Sequence, residues 1–219
     1  VPWSLGKVSL VGLGVVSIAA VGRALYRMFS RSAPTMDGPI DEEGCSRAFM
    51  SPNESGKRAK MPPDWIVLHD TEGGSNAKNI AQYFFNPATK LSSHLVVDNE
   101  GACYRVVDDD HVAWHAGAAN PKSLGIELVA PVGAWKRSRD EWLREDTLLD
   151  VASDHVARWA RRFSIPVVFL DAAALKRGER GITTHAEVTK ALGGSHVDPG
   201  PNFPMDDFID RVARRMPIV

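Results

Sequence analysis

The sequence predicts a mixed α/β domain, with a central, mostly mixed sheet flanked by helices, preceded by a hydrophobic N-terminal helix. Three observations lead there. Short apolar runs alternate along the chain with segments whose apolar residues recur at helical spacing, the pattern of strands and helices laid down in turn. The first thirty residues differ sharply in composition from the rest, carrying a long stretch without charge. And 219 residues, 44% hydrophobic and 24% charged, suffice for a buried core, which excludes a disordered or fibrous chain.

Residues 8–22 (VSLVGLGVVSIAAVG) contain no charge, and residues 3–26 are interrupted only by Lys7 and Arg23. As helix these two spans reach about 22 Å and about 36 Å, against a hydrocarbon core of about 30 Å. With Trp3 and Tyr26 at the interfaces and Lys7 and Arg23 turned outward, residues 1–29 are expected to form a membrane anchor or to dock into an apolar partner, such as a phage particle or injection machine. A buried core helix is apolar in the same way. A signal peptide has only the weak site Ser17-Ile18-Ala19. Arg23, Arg27 and Arg31 follow the run, a charge bias that favours a cytoplasmic C-terminal part.

Residues 30–60 turn to Ser, Pro, Gly, Asn and mixed charge, and read as a linker with one short ordered piece near residues 45–50. The main domain is expected over 61–219. Residues 65–68, after a Pro pair, form a buried strand that delivers His69-Asp70-Thr71 at its C-terminal edge. A helix is expected over 76–85 after Gly73-Gly74, and strands over 95–97 and 104–107 with Asp98–Gly101 as the turn between them, then over 126–129 and 167–170. Leu148, Leu149, Ala152, Val156, Trp159, Ala160 and Phe163 mark an amphipathic helix over 144–163, with His155 beside the stripe and exposed. A terminal helix over 205–215 turns Phe208, Ile209 and Val212 inward.

Lys+Arg 26 against Asp+Glu 27 leaves a net charge of −1, no footprint for nucleic acid. Cys45 and Cys103 lack Cys-x-x-Cys spacing, and whether they bridge is left open by the sequence. No Gly-x-Ser-x-Gly elbow is present and neither Cys sits in a recognisable nucleophile motif, so serine or cysteine nucleophiles are disfavoured. The acidic run Asp108-Asp109-Asp110 before His111 reads as a solvated turn. His69, His185 in GITTHAEV, and His196 with Asp198 in GSHVDPGPNFP stand in contexts that suit a metal: two His and a carboxylate leave a fourth tetrahedral position open. Spacing alone favours histidines that cap or hydrogen-bond within a core, since no local motif joins them. Trp114 suits the floor of a sugar or peptide groove, and core packing as well. Glu127, between Ile126 and Leu128, is either a group turned to the site or the solvent-facing member of a strand.

The series WIVLHDTEGG, SSHLVVDNEGACYRV, VAWHAG, SLGIELV, GITTHAEV and SHVDPGPNFP resembles, in this order, the type 2 N-acetylmuramoyl-L-alanine amidases, the family shared with peptidoglycan recognition proteins and phage endolysins. The likeness runs from Trp65 to about Phe208. It implies Zn2+ held by His69, His185 and Asp198 at one edge of the sheet, Glu127 as acid/base at a strand edge, His115 in the substrate groove and His94 either behind the metal ligands or in the core. Relatives often carry Lys two residues before the metal acid; this chain has His196, which is assigned the oxyanion role with that departure noted. The function implied is a zinc hydrolase that cuts the lactyl–L-alanine amide of peptidoglycan, acting on the cell wall from a virion or membrane. The alternatives are a non-cutting peptidoglycan-binding module or a structural part of a phage or injection assembly.

Overall fold

The computed structural model describes residues 36–217. The expected helix at 1–29 lies outside the described residues. Among the described residues, no helix is long and apolar enough to cross a membrane.

Strand β1 (Glu54–Lys57) pairs antiparallel with β5 (His111–Ala113). The main sheet is built from β2 (Trp65–Asp70), β3 (Leu95–Val97), β4 (Cys103–Arg105), β6 (Ser123–Leu128) and β7 (Gly181–Thr184), in the order β4-β3-β6-β2-β7. All its pairings are parallel except β3 with β4, so the C-terminal ends of β3, β6, β2 and β7 open on one edge. The helices are α1 (Ala77–Phe85), α2 (Arg139–Leu143), α3 (Asp146–Phe163), α4 (Ala172–Lys176), α5 (His185–Leu192) and α6 (Met205–Arg214).

Side chains alternate along each strand, and in-register parallel partners share a face. Ile66, Leu68, Leu124, Ile126, Leu128 and Ile182 therefore form one apolar face, packed with Leu149, Val156 and Trp159 of α3 and Phe208 and Val212 of α6. On the other face, Trp65 and Val67 meet Ala116, Leu170 and Val188, while Val96 and Tyr104 meet Ala77, Ala81 and Phe84 of α1. The crossover from β2 to β3 thus covers one face and that from β6 to β7 the other, which leaves a crevice between β2 and β6 at their C-terminal ends, where ligands of such sheets bind. Local chemistry sets the helix starts: Asn76 accepts the Asn79 N–H, and Ser138 and Glu141 cap α2 reciprocally.

The structure corrects several expectations. Residues 36–60 are no free linker: Cys45, Ser46, Asn53 and Arg58 are buried, and Cys45 is bonded to Cys103 with their Cα atoms 4.6 Å apart. Asp109 of the acidic run is buried too, because the Arg105 guanidinium pairs with Asp41, Glu43 and Asp109 and Arg162 adds a second cation beside Glu43 and Asp109, while His111 meets Glu54 at 3.2 Å. His155 is buried on the inner side of α3, 3.7 Å from the Cys45 sulfur, and burial pushes its pKa down to about 4. The strand expected at 167–170 reduces to a single bridge between Phe169 and Ile182; Pro166 lacks an N–H there, and Val168 and Phe169 are exposed. On the side of β2 away from β6 the flanking strand is β7, an Ile-Thr-Thr run without the apolar pattern that marks a strand in the sequence. Glu127 lies near the C-terminal end of β6, an interior strand of the sheet.

Candidate functional site

His69 ends β2, and Glu127 faces it in register on β6. His185 opens α5, whose N-cap is Thr184 at the end of β7. Asp198 comes from the turn after α5, and Gly200 lets that turn close: its φ is +94°, and a Cβ there would lie 2.2 Å from the Trp135 carbonyl oxygen. These elements bring three donors together. His69 Nδ1 lies 3.1 Å from His185 Nδ1 and 3.1 Å from Asp198 Oδ2, and His185 Nδ1 lies 3.1 Å from Asp198 Oδ1. Metal–ligand bonds of about 2.0–2.1 Å in a tetrahedron put neighbouring ligand atoms about 3.3–3.4 Å apart, so the group fits a Zn2+-sized ion with little adjustment. The ionisation states agree. Burial drives His69 toward the neutral imidazole, and Asp198, although burial opposes it, is kept well below the ordinary carboxylate range by the two histidines beside it.

A buried relay fixes which nitrogen of His69 is free. The Ser123 hydroxyl donates to the Ala119 carbonyl (2.8 Å) and so accepts from His115 Nε2 (3.1 Å). His115 Nδ1 is then bare and accepts from His69 Nε2 (2.9 Å), which leaves the His69 Nδ1 lone pair directed at His185 and Asp198. The His115 ring reaches this position because residue 125 is glycine; a Cβ there would stand 2.6 Å from His115 Nδ1. His115 borders the cavity, and both its ring nitrogens are engaged in this relay. His94 is in the core, accepting the Gly125 N–H at its Nδ1.

The donors open into a cavity of about 420 Å³. Its wall is apolar, formed by Ile80, Tyr83 and Phe84 of α1 with Leu91 and Trp114. Glu127 and Asp70 border it, both buried, and neither Glu127 Oε2 nor Asp70 Oδ2 has a hydrogen-bond partner. Burial, reinforced by Asp198 and Asp70, pushes Glu127 well above the ordinary carboxylate range; burial lifts Asp70 to about 7. His196 stands at the mouth, its side chain 62% exposed, its ring stacked on His185 at 4.0 Å and its Nδ1 3.7 Å from Asp198 Oδ1. Trp114 is half-buried, its indole N–H donating to Ser55.

All seven residues singled out in the sequence therefore border one cavity. Asp70, Glu72 and the wall residues on α1 were missed as site residues. For Asp70 a signal existed, the carboxylate next to His69 at the end of a buried strand. Glu72 holds the loop opposite by accepting the N–H groups of Gly133 and Trp135.

Comparison with known proteins agrees with this geometry. Over 76 residues the chain is 37% identical to the N-acetylmuramoyl-L-alanine amidase CwlH of Bacillus subtilis (strain 168), covering 31% of this chain and 30% of that protein. Over 74 residues it is 35% identical to N-acetylmuramoyl-L-alanine amidase A of Achromobacter lyticus, covering 32% of this chain and 41% of that one. The matches thus span less than half the length of these curated relatives. Among solved structures, the hydrolase AmiA of Staphylococcus aureus in complex with its ligand superposes with a TM-score of 0.61 at 20% identity, covering 94% of this chain and 95% of that one. A mutant endolysin from Bacillus subtilis superposes with a TM-score of 0.55 at 20% identity, over 80% and 99% of the two chains. These two likenesses speak for the fold. The family profile for N-acetylmuramoyl-L-alanine amidase matches residues 59–201, more than half of the sequence and every residue of the donor cluster, and the chain belongs to that family.

Proposed function

We propose that the protein hydrolyses the amide between the lactyl group of N-acetylmuramic acid and L-alanine in peptidoglycan, with Zn2+ held by His69, His185 and Asp198. The observation that carries this reading is one cavity bordered by a tetrahedral-compatible donor set and a buried, unpartnered Glu127 carboxylate. When bound, Zn2+ polarises the scissile carbonyl and makes water acidic enough to attack near neutral pH. Glu127 then takes a proton from the attacking water and returns it to the leaving amine of L-alanine, a task its raised pKa suits. His115 keeps His69 in the tautomer that presents Nδ1. His196, at the mouth, offers a ring N–H toward the oxyanion in place of the family's lysine. Trp114 and the apolar wall receive the sugar or peptide face of the substrate.

Residues 1–29 are proposed to tether this hydrolase to a membrane or to a phage or injection particle; a chain that needs detergent only when they are present supports attachment, and equal solubility without them removes it. The decisive test of the activity is metal analysis of the purified protein together with mass spectrometry of digested peptidoglycan. One zinc per chain and stem peptides with a free L-alanine amino group are expected. Cleavage within the glycan or within the stem overturns the reading.

A further inference from the structure

We propose that Asn53 is a positioning residue for substrate binding, acting through the wall of the groove. The inference rests on the groove being the substrate site. Asn53 lies in the stretch the sequence marks as a linker, and outside residues 59–201 that match the family profile. Yet it is buried at 3% exposure, and its side-chain Nδ2 stands 3.0–3.1 Å from the carbonyl oxygens of Phe84, Asn86 and Leu91 and from the Thr89 hydroxyl. An amide nitrogen carries two hydrogens, so the group serves these four acceptors in shared fashion. Two of them, Phe84 and Leu91, belong to residues that line the groove.

The neighbours of Asn53 extend the same grip. The Ser51 hydroxyl donates to the Phe84 carbonyl, which as part of the last turn of α1 has no partner further along the helix. The Asn53 carbonyl accepts from Ser92, whose oxygen accepts the Trp114 N–H, and Ser55 accepts the Trp114 indole N–H at 2.7 Å. Residues 51–55 therefore hold both sides of the apolar wall, the end of α1 with its following turn on one side and Trp114 on the other. Tyr83 and Leu91 are about half exposed, so little packing holds them in place and the backbone bonds set where they stand. None of residues 51–55 borders the cavity, which separates this role from the chemistry.

The test compares full-length wild-type protein with Asn53→Ala, Ser55→Ala and Ser55→Thr on a soluble N-acetylmuramoyl peptide, with Val212→Ala, far from the groove in α6, as a control of comparable core damage. Asn53→Ala should raise KM about tenfold with kcat within about twofold and unchanged metal content. Ser55→Ala should raise KM about threefold, and Ser55→Thr, which keeps the hydroxyl, should restore it. Val212→Ala should leave KM alone. An unchanged KM in Asn53→Ala and Ser55→Ala, a loss carried by kcat, or an equal rise in Val212→Ala overturns the proposal. If Asn53→Ala does not fold, the Ser55 pair decides. Wild-type protein that releases no stem peptide overturns the functional reading instead; calorimetric affinities of the same peptide for the same variants then decide the role of Asn53.

Discussion

The two faces of strand β6 are equally buried and chemically opposite. Leu124, Ile126 and Leu128 enter the apolar core beneath α3, while Ser123, Gly125 and Glu127 on the other face meet His115, His94 and the cavity. Strands covered on both faces usually read as continuous apolar runs. Alternation in a strand that never meets bulk solvent therefore marks a face that lines a site. Ser123 and the Gly125 N–H have found partners within that face, and the Glu127 carboxylate retains an unpartnered oxygen. One face carries stability, and the other accepts the cost of buried polar groups to hold a reactive arrangement.

Substitutions on each face should separate these roles. The largest effect is expected from the donors: His69→Ala, His185→Ala and Asp198→Ala should each lose metal and activity together, as should wild-type protein after chelation, with activity returning on addition of Zn2+. Full metal occupancy in one of these variants would remove that residue from the ligand set. Glu127→Gln should lower kcat by about 10²–10⁴-fold with metal content intact, since the amide keeps the shape and loses the proton exchange. Near-native turnover would return Glu127 to a structural role.

One residue earlier on the same strand, Ile126→Ala should cost about 2–5 kcal/mol of stability in urea unfolding, with activity per folded molecule close to wild type. A selective loss of activity there would erase the division between faces. Ser123→Ala should weaken metal binding by about 10–100-fold, because His115 no longer has an acceptor for its Nε2–H and the His69 tautomer is released. Unchanged affinity by competition titration would break the relay.

The smallest effect concerns His155, on the helix beneath the apolar face. Its pKa is near 4 in the folded chain and near the ordinary 6.5 when unfolded, so the unfolded chain binds more protons between these values and stability falls as pH drops through that window. Between pH 7.5 and 5.5 the wild type should lose about 1.4 kcal/mol more than His155→Gln, as the linkage relation gives for these two values. Parallel pH profiles of unfolding would show that His155 is not held neutral by its surroundings.

Much of this was legible in the chain itself. Periodicity and turn residues located β2, β3, α1, α3 and α6 to within a few residues, because each buries a regular stripe or starts at a side chain that bonds its own backbone. The order of the six motifs pointed to His69, His185, Asp198 and Glu127, which border one cavity. Other features depend on contacts that no local window contains. Cys45 meets Cys103 across 58 residues, and Asn53 meets acceptors 31 to 38 residues away. A polar, Pro- and Gly-bearing stretch looks the same from its own residues whether it floats or is fastened. His155 likewise lies beside an apolar stripe, and only the packing of residues 41–46 over α3 turns it inward. Composition and period report which residues can be buried; strand register and the docking of distant segments decide which are, and whether four groups far apart in the chain stand a few ångströms from one another.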